Sequence, residues 1–154
     1  MSHKNALISK SERGQSLTEL AISLTFMLIL LAGVVDIGRA FFTYITLRDA
    51  AQEAAVYGSF EPTNCTGITD RAQDTSNKPF DLSSASVSIN IIQGGIPVPC
   101  VSATPVPADQ IQVSVSYNDF QITMPFIGSL IGKQKVPISA SIKDTILSVP
   151  TPTP

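Results

Sequence analysis

The sequence predicts an α+β chain: a long N-terminal transmembrane and amphipathic helix followed by a small antiparallel β-sheet domain. Three observations predict it. Leu20 to Val35 is an almost purely apolar run with no polar side. Beyond it, small and apolar residues recur at helical spacing as far as Gly58. Three later stretches then alternate apolar and polar residues with the period of a half-buried strand.

The apolar run comes first because its environment decides the rest. A soluble surface helix keeps one polar face, and this run has none. At ~1.5 Å per residue it is roughly 24 Å long. A bilayer core of ~30 Å asks for about 20 residues, which the run reaches if its ends extend toward Leu17 and Phe42, with Arg39 snorkelling outward. The alternative, a buried core helix, needs more apolar cover than the remainder of the chain offers. In the leader from Met1 to Gly14, His3, Lys4, Lys10 and Arg13 stand against Glu12 alone. Positive charge there keeps the N-terminus in the cytoplasm and places the rest of the chain outside. A secretory signal would be cut after its apolar region at a small-residue site. Here the helix continues as Arg39-Ala40-Phe41-Phe42, so the apolar segment is expected to be retained.

Glu19 is the anomaly. A carboxylate inside a spanning helix is costly, though less so near an end. It either reaches the headgroups and does nothing, or meets a positive partner. A cut after Gly14 creates such a partner, because the new amino group at Gln15 lies one helical turn from Glu19, in the same chain or a neighbour.

These residues resemble a family. Gly14 followed by Gln15-Ser16-Leu17-Thr18-Glu19 and an apolar helix is similar to the class III signal of type IV pilins and pseudopilins. With Asp36-Ile37-Gly38-Arg39-Ala40-Phe41 and Asp49-Ala50-Ala51-Gln52-Glu53-Ala54-Ala55, the segment from Arg13 to about Gly58 resembles the TadE-like pseudopilins of tight-adherence (Tad) pili. The resemblance weakens over the final third and does not extend to Ser59–Asp109. It implies processing by a membrane prepilin peptidase between Gly14 and Gln15, and Glu19 as the charge partner for assembly. It also implies work with other pilins and the Tad machinery, as a membrane-anchored pseudopilin or minor pilin in an oligomeric, pilus-like assembly. A single-span membrane protein left uncut, whose outer domain binds an extracellular ligand, is the alternative.

The implied organisation is a cytoplasmic leader at 1–14, a helix at 15–59, an extracytoplasmic domain at 60–149 and a Pro/Thr tail at 150–154. Gly33, Ile37, Ala40, Tyr44, Leu47, Ala51, Ala54 and Gly58 recur in steps of four and three and define one packing face. It packs either on the chain's own domain, the preferred reading for the distal part, or between subunits. Asp36 and Arg39, three apart, are expected to pair on the helix surface as an interfacial stop. Pro62 ends the helix, and a short helix is expected near Ile68 to Thr75.

Val87, Ile89 and Ile91 mark a first strand. Ile111, Val113, Val115 and Tyr117 mark a second, and Val136, Ile138, Ala140 and Ile142 a third. One polar face each suggests an antiparallel sheet packed on a helix. Gly94-Gly95 reads as a turn. Pro99, Pro105 and Pro107 impose a loop between Val98 and Pro107. The apolar connection from Met124 to Gly132 is expected to cover a sheet end, or else to form an exposed contact patch. From Val149 onward the chain is expected to be extended and mobile.

Cys65 and Cys100 both fall outside the membrane, with no CxxC or ligand set beside them. A disulfide is expected, against the alternative of two buried thiols. The one histidine lies in the leader, and no phosphate loop, GxSxG or HExxH occurs. No cofactor, metal site or enzymatic activity is therefore expected. Net charge is −2 without a block of one sign, so nucleic acid is not an implied partner. Charged residues make up 14% of the chain, well under the ~25% of ordinary soluble domains, which suits an exported, assembled protein.

Overall fold

The computed structural model describes residues 8–74, 82–124 and 132–149, with the side chains of 8–13 left aside. The apolar connection after Met124 and the tail after Val149 thus lie largely outside the described residues.

Helix α1 runs unbroken from Ile8 to Phe60, 53 residues, or roughly 80 Å at the α-helical rise. It ends where Pro62 follows, and the Glu61 N–H closes the last turn on the Tyr57 carbonyl at 3.0 Å. Helix α2 (Cys65–Asp74) starts after Asn64, whose Oδ1 accepts the Gly67 N–H at 2.9 Å and so caps it. Four strands follow: β1 (Ser86–Gln93), β2 (Ile96–Pro99), β3 (Gln110–Gln121) and β4 (Lys135–Thr145). They form one antiparallel sheet in the order β2-β1-β3-β4.

The expected alternation sets which face is buried. Ile91, Ile111, Val113, Val115 and Ala140 turn inward, against Leu47, Ala50, Ala51, Ala54 and Ala55 of α1. Ile68 and Ala72 of α2 close the same core. Alanines on the helix let its axis approach the sheet closely. The opposite face is a polar surface, where the Ser114 hydroxyl donates to Ser141 Oγ at 2.9 Å and Gln112 Nε2 donates to the same oxygen at 3.1 Å.

Three details depart from the sequence-based expectation. Val98 and Pro99 belong to strand β2 rather than to a loop. The Gly94-Gly95 turn, with φ of 58° and 87°, folds β2 back on β1 with Gln93 opposite Ile96. Prolines are tolerated because β2 is an edge strand, where a missing N–H costs no ladder bond on the open side. Second, β3 runs past Tyr117 to Gln121, through a bulge. Tyr117 pairs with Ile138 and Phe120 with Val136, so Asn118 and Asp119 stand opposite Pro137 alone. One extra residue inverts the facing of everything after it. Inward residues are odd-numbered from Ile111 to Tyr117; after the bulge Phe120, Ile122 and Met124 face α1. Third, Val149 packs against the core rather than leaving it.

Strand and helix are matched in length. Twelve residues of β3 at ~3.3 Å span roughly 36 Å, and Asp36 to Gly58 on α1 spans roughly 33 Å. The helix and the paired strands β3 and β4 are fastened at both ends. At the far end the Ser59 carbonyl accepts the Leu147 N–H at 2.8 Å. At the near end the fastening is Asp36.

Candidate functional site: the exposed helix and its junction with the sheet

Helix α1 has two environments. From Gly14 to Leu28 every residue is exposed, and Leu30, Leu31, Val34 and Val35 remain so. Only 6% of its most apolar stretch is buried. From Leu47 onward one face is fully covered by the chain's own sheet and α2. The helix is long and apolar enough to cross a membrane, and the apolar half is the bare half.

Gly14, Gln15 and Glu19 lie on the bare half, within continuous helix. The Thr18 hydroxyl donates to the Gln15 carbonyl at 2.8 Å. Four helical steps, roughly 6 Å along the axis, separate Gln15 from Glu19. The Glu19 carboxylate forms no ion pair among the described residues. A Cβ built on Gly14 meets nothing within 4 Å. Glycine in a helix interior costs roughly 0.5–1 kcal/mol relative to alanine, and no contact among the described residues asks for it. Gly58 is the contrast: an added Cβ would collide with Ile111 Cδ1 and stand 3.1 Å from Ile68 Cδ1. That glycine is there for packing.

The expected packing face is only partly the observed one. Leu47, Ala51, Ala54 and Gly58 are buried, and Gly33 and Ala40 half-buried. Ile37 is 71% exposed and Tyr44 45%. Asp36, Thr43, Ala50 and Ala55 occupy the inner line instead. Thr43 is buried with its hydroxyl donating to the Arg39 carbonyl of its own helix at 2.9 Å, and Asp36 turns into the sheet.

Asp36 is therefore no surface stop. It is 8% exposed. Its Oδ2 accepts the backbone N–H of Thr123 at 2.9 Å and of Met124 at 2.6 Å, so the carboxylate terminates the bulge-shifted end of β3. Arg39 stands 3.4 Å from Asp36 Oδ1, donates to Thr123 Oγ1 at 2.6 Å and lies over the Phe120 ring at 5.5 Å. The pair is a junction between helix and sheet. Thr123 and Met124 were not singled out from sequence, because their link to Asp36 crosses more than 80 positions. A lone aspartate directly after an apolar run was the available signal.

Cys65 and Cys100 are joined by a disulfide, with Cα atoms 6.0 Å apart. It ties the start of α2 to the end of β2. Among the described residues no group of three or more His, Cys, Asp or Glu side chains could hold a metal ion.

Residues 14–56 match the family model for TadE-like protein. The TadE-like segment lies wholly within α1: it begins at Gly14, takes in the bare apolar half and the Asp36–Arg39 junction, and stops short of Gly58. The sheet lies beyond it. A TadE-like segment supports involvement in the Tad pilus system, in association with the membrane and other pilus components. No curated protein and no solved structure matches the chain.

Proposed function

We propose that this chain is a membrane-anchored pseudopilin or minor pilin that takes part in assembling a Tad-type adhesive pilus. The observation that carries the proposal is the coincidence of the TadE-like segment with a single helix, bare where it is apolar and covered where it is amphipathic. Such a rod anchors a folded domain at a membrane and presents a long apolar surface to other subunits. In this reading the N-terminus is cytoplasmic and the sheet domain extracytoplasmic.

Prepilin peptidase cuts between Gly14 and Gln15. The exposure of Gly14 and Gln15 is compatible with this, since it leaves the bond between them open to a peptidase. After cutting, the Gln15 amine offsets Glu19, in the same chain or a neighbour. Pairing lowers the cost of holding that carboxylate at the membrane.

The test separates the steps. Gly14→Leu is expected to leave an inserted precursor that keeps its leader, read by mass spectrometry of membrane-extracted protein. Glu19→Gln is expected to insert and to be cut, but to lose co-purification with other pilins after mild extraction. Cleavage and association both untouched by Glu19→Gln would remove the assembly role. An uncut N-terminus in the wild-type protein would remove the processing.

A further inference from the structure

The bulge in β3 has a second result. By turning Phe120, Ile122 and Met124 toward α1, it opens a groove of about 410 Å³ between helix and sheet, with Gly33, Ile37 and Ala40 on one side and Val136 and Ile138 on the other. That volume lies within the range of small-ligand pockets, roughly 300–1,000 Å³. The groove presents only apolar surface, because the carboxylate of Asp36 is engaged by the Thr123 and Met124 amides. Water finds no partner in such a space.

Its height along the helix says what does. Counting ~20 residues of bilayer core from Leu20, just past Glu19, puts the outer boundary near Arg39. Gly33 to Ala40 then occupies the last ~10 Å of hydrocarbon and the start of the interface. Ile37 is exposed at the groove wall, Phe41 and Phe42 are exposed at the same height on the helix, and Tyr44 stands half-turned to solvent above it, at the level where aromatic side chains gather in spanning proteins. We propose that this groove takes an acyl chain of an outer-leaflet glycerophospholipid, so that the lower end of the sheet is seated in the membrane. The proposal rests on the reading that α1 spans a bilayer.

The rim does not select a headgroup. Phe120 also walls a polar recess holding Arg39 and Lys135, but Asp36 lies 3.4 Å from Arg39 and Asp119 2.7 Å from Lys135. Two cations face two carboxylates, and the slot rather than the charge recruits the lipid.

The chain has no tryptophan, so single reporters read the site without background. Full-length Leu28→Trp, Ile122→Trp and Leu147→Trp are reconstituted into vesicles of phosphatidylcholine or phosphatidylglycerol with brominated acyl chains. Val136→Trp replaces Ile122→Trp if circular dichroism shows that variant misfolded. Leu28→Trp, in the span, is expected to be strongly quenched in both lipids. Ile122→Trp is expected to be quenched in both, most by bromine placed near the glycerol. Leu147→Trp, at the far end of the domain, is expected to keep its emission. A quenched Leu28→Trp with an unquenched, blue-shifted Ile122→Trp overturns the inference and leaves the span intact. If that blue shift depends on protein density, a second copy fills the groove; if it does not, the chain itself does. Quenching of Ile122→Trp in phosphatidylglycerol alone overturns it too, since charge would then be the attraction. An unquenched Leu28→Trp removes the span, and the lipid site with it.

Discussion

Asp36→Ala is the perturbation that reads the helix–sheet junction most directly. It removes the acceptor for two backbone amides, at 2.9 and 2.6 Å, and the partner of Arg39. A buried donor left unpaired costs ~1–3 kcal/mol. Thr123 is exposed and Met124 half-buried, so neither amide is shut in a closed core, and the lower end is taken for each. The Arg39 guanidinium is 43% exposed, and an ion pair of that kind contributes ~0–1 kcal/mol. The sum is about 2–3 kcal/mol. For a domain of this size 1 kcal/mol moves Tm by roughly 4–8 °C, so Tm is expected to fall by about 10–20 °C. Asp36→Asn keeps one acceptor oxygen and is expected to cost about half as much. Membrane insertion is expected to be unimpaired, since the lost group is a carboxylate near the boundary. Thermal unfolding followed by circular dichroism in detergent micelles measures the loss, and amide exchange at Thr123 and Met124 localises it. An Asp36→Ala protein with unchanged Tm and unchanged exchange at those amides would refute the argument that this carboxylate fastens the sheet to the helix.

Gly58→Val is expected to destabilise the domain by about 1–3 kcal/mol, because its side chain would enter the space of Ile111 and Ile68; urea unfolding of the full chain measures it, and a neutral result removes the close contact. Replacing both Cys65 and Cys100 by serine opens a loop with a sequence separation of 35 and is expected to cost about 3–4 kcal/mol in the chain-entropy model. Wild-type protein is expected to show no reactive thiol after unfolding without reductant, and labelling of both cysteines would contradict the bridge. Lys135 has its pKa raised above 10.5, first by its hydrogen bond to Asp119 and then by that carboxylate's charge. The folded value exceeds the unfolded one, so the contribution is complete below pH 10.5 and lost as pH rises through the folded value. Wild type and Lys135→Gln are therefore expected to differ by a small constant in Tm at neutral pH and to converge only in strong alkali; a difference that changes near neutrality would point to another group.

The strands were legible because their periodicity is local. Val87 to Ile91, Ile111 to Tyr117 and Val136 to Ile142 each show one apolar face, and the sheet buries that face. The end of α1 was legible because Pro62 enforces it. Strand β2 was obscured by its own prolines, whose tolerance depends on its position at the sheet edge. The bulge at Asn118-Asp119 was hidden for a related reason: an inverted alternation looks like the end of a strand until the partner is known. Asp36 was misplaced because its ligands are the amides of Thr123 and Met124, and a backbone donor leaves no mark in sequence. Tyr44 and Ile37 were drawn into the packing stripe by hydrophobicity, which membrane exposure satisfies as well as burial does. Glu19 stood out in the sequence as a carboxylate beside an apolar run.

The length match between β3 and the upper half of α1 has a mechanical consequence. A lone helix under tension lengthens one turn at a time, as each turn's hydrogen bonds give way. Between Asp36 and Ser59 this helix has a second member beside it, the hydrogen-bonded pair of β3 and β4, with the end of β3 clamped at the bottom by the Thr123 and Met124 amides and the chain after β4 clamped at the top by the Leu147 amide. Load entering at either clamp divides between helix and strand over roughly 34 Å, and stretching the helix there requires the strand to slide or a clamp to open. Below Asp36 no such member exists among the described residues. The rod is thus stiff above Asp36 and compliant below it, and a pull on the domain concentrates strain where the Asp36 carboxylate holds the sheet.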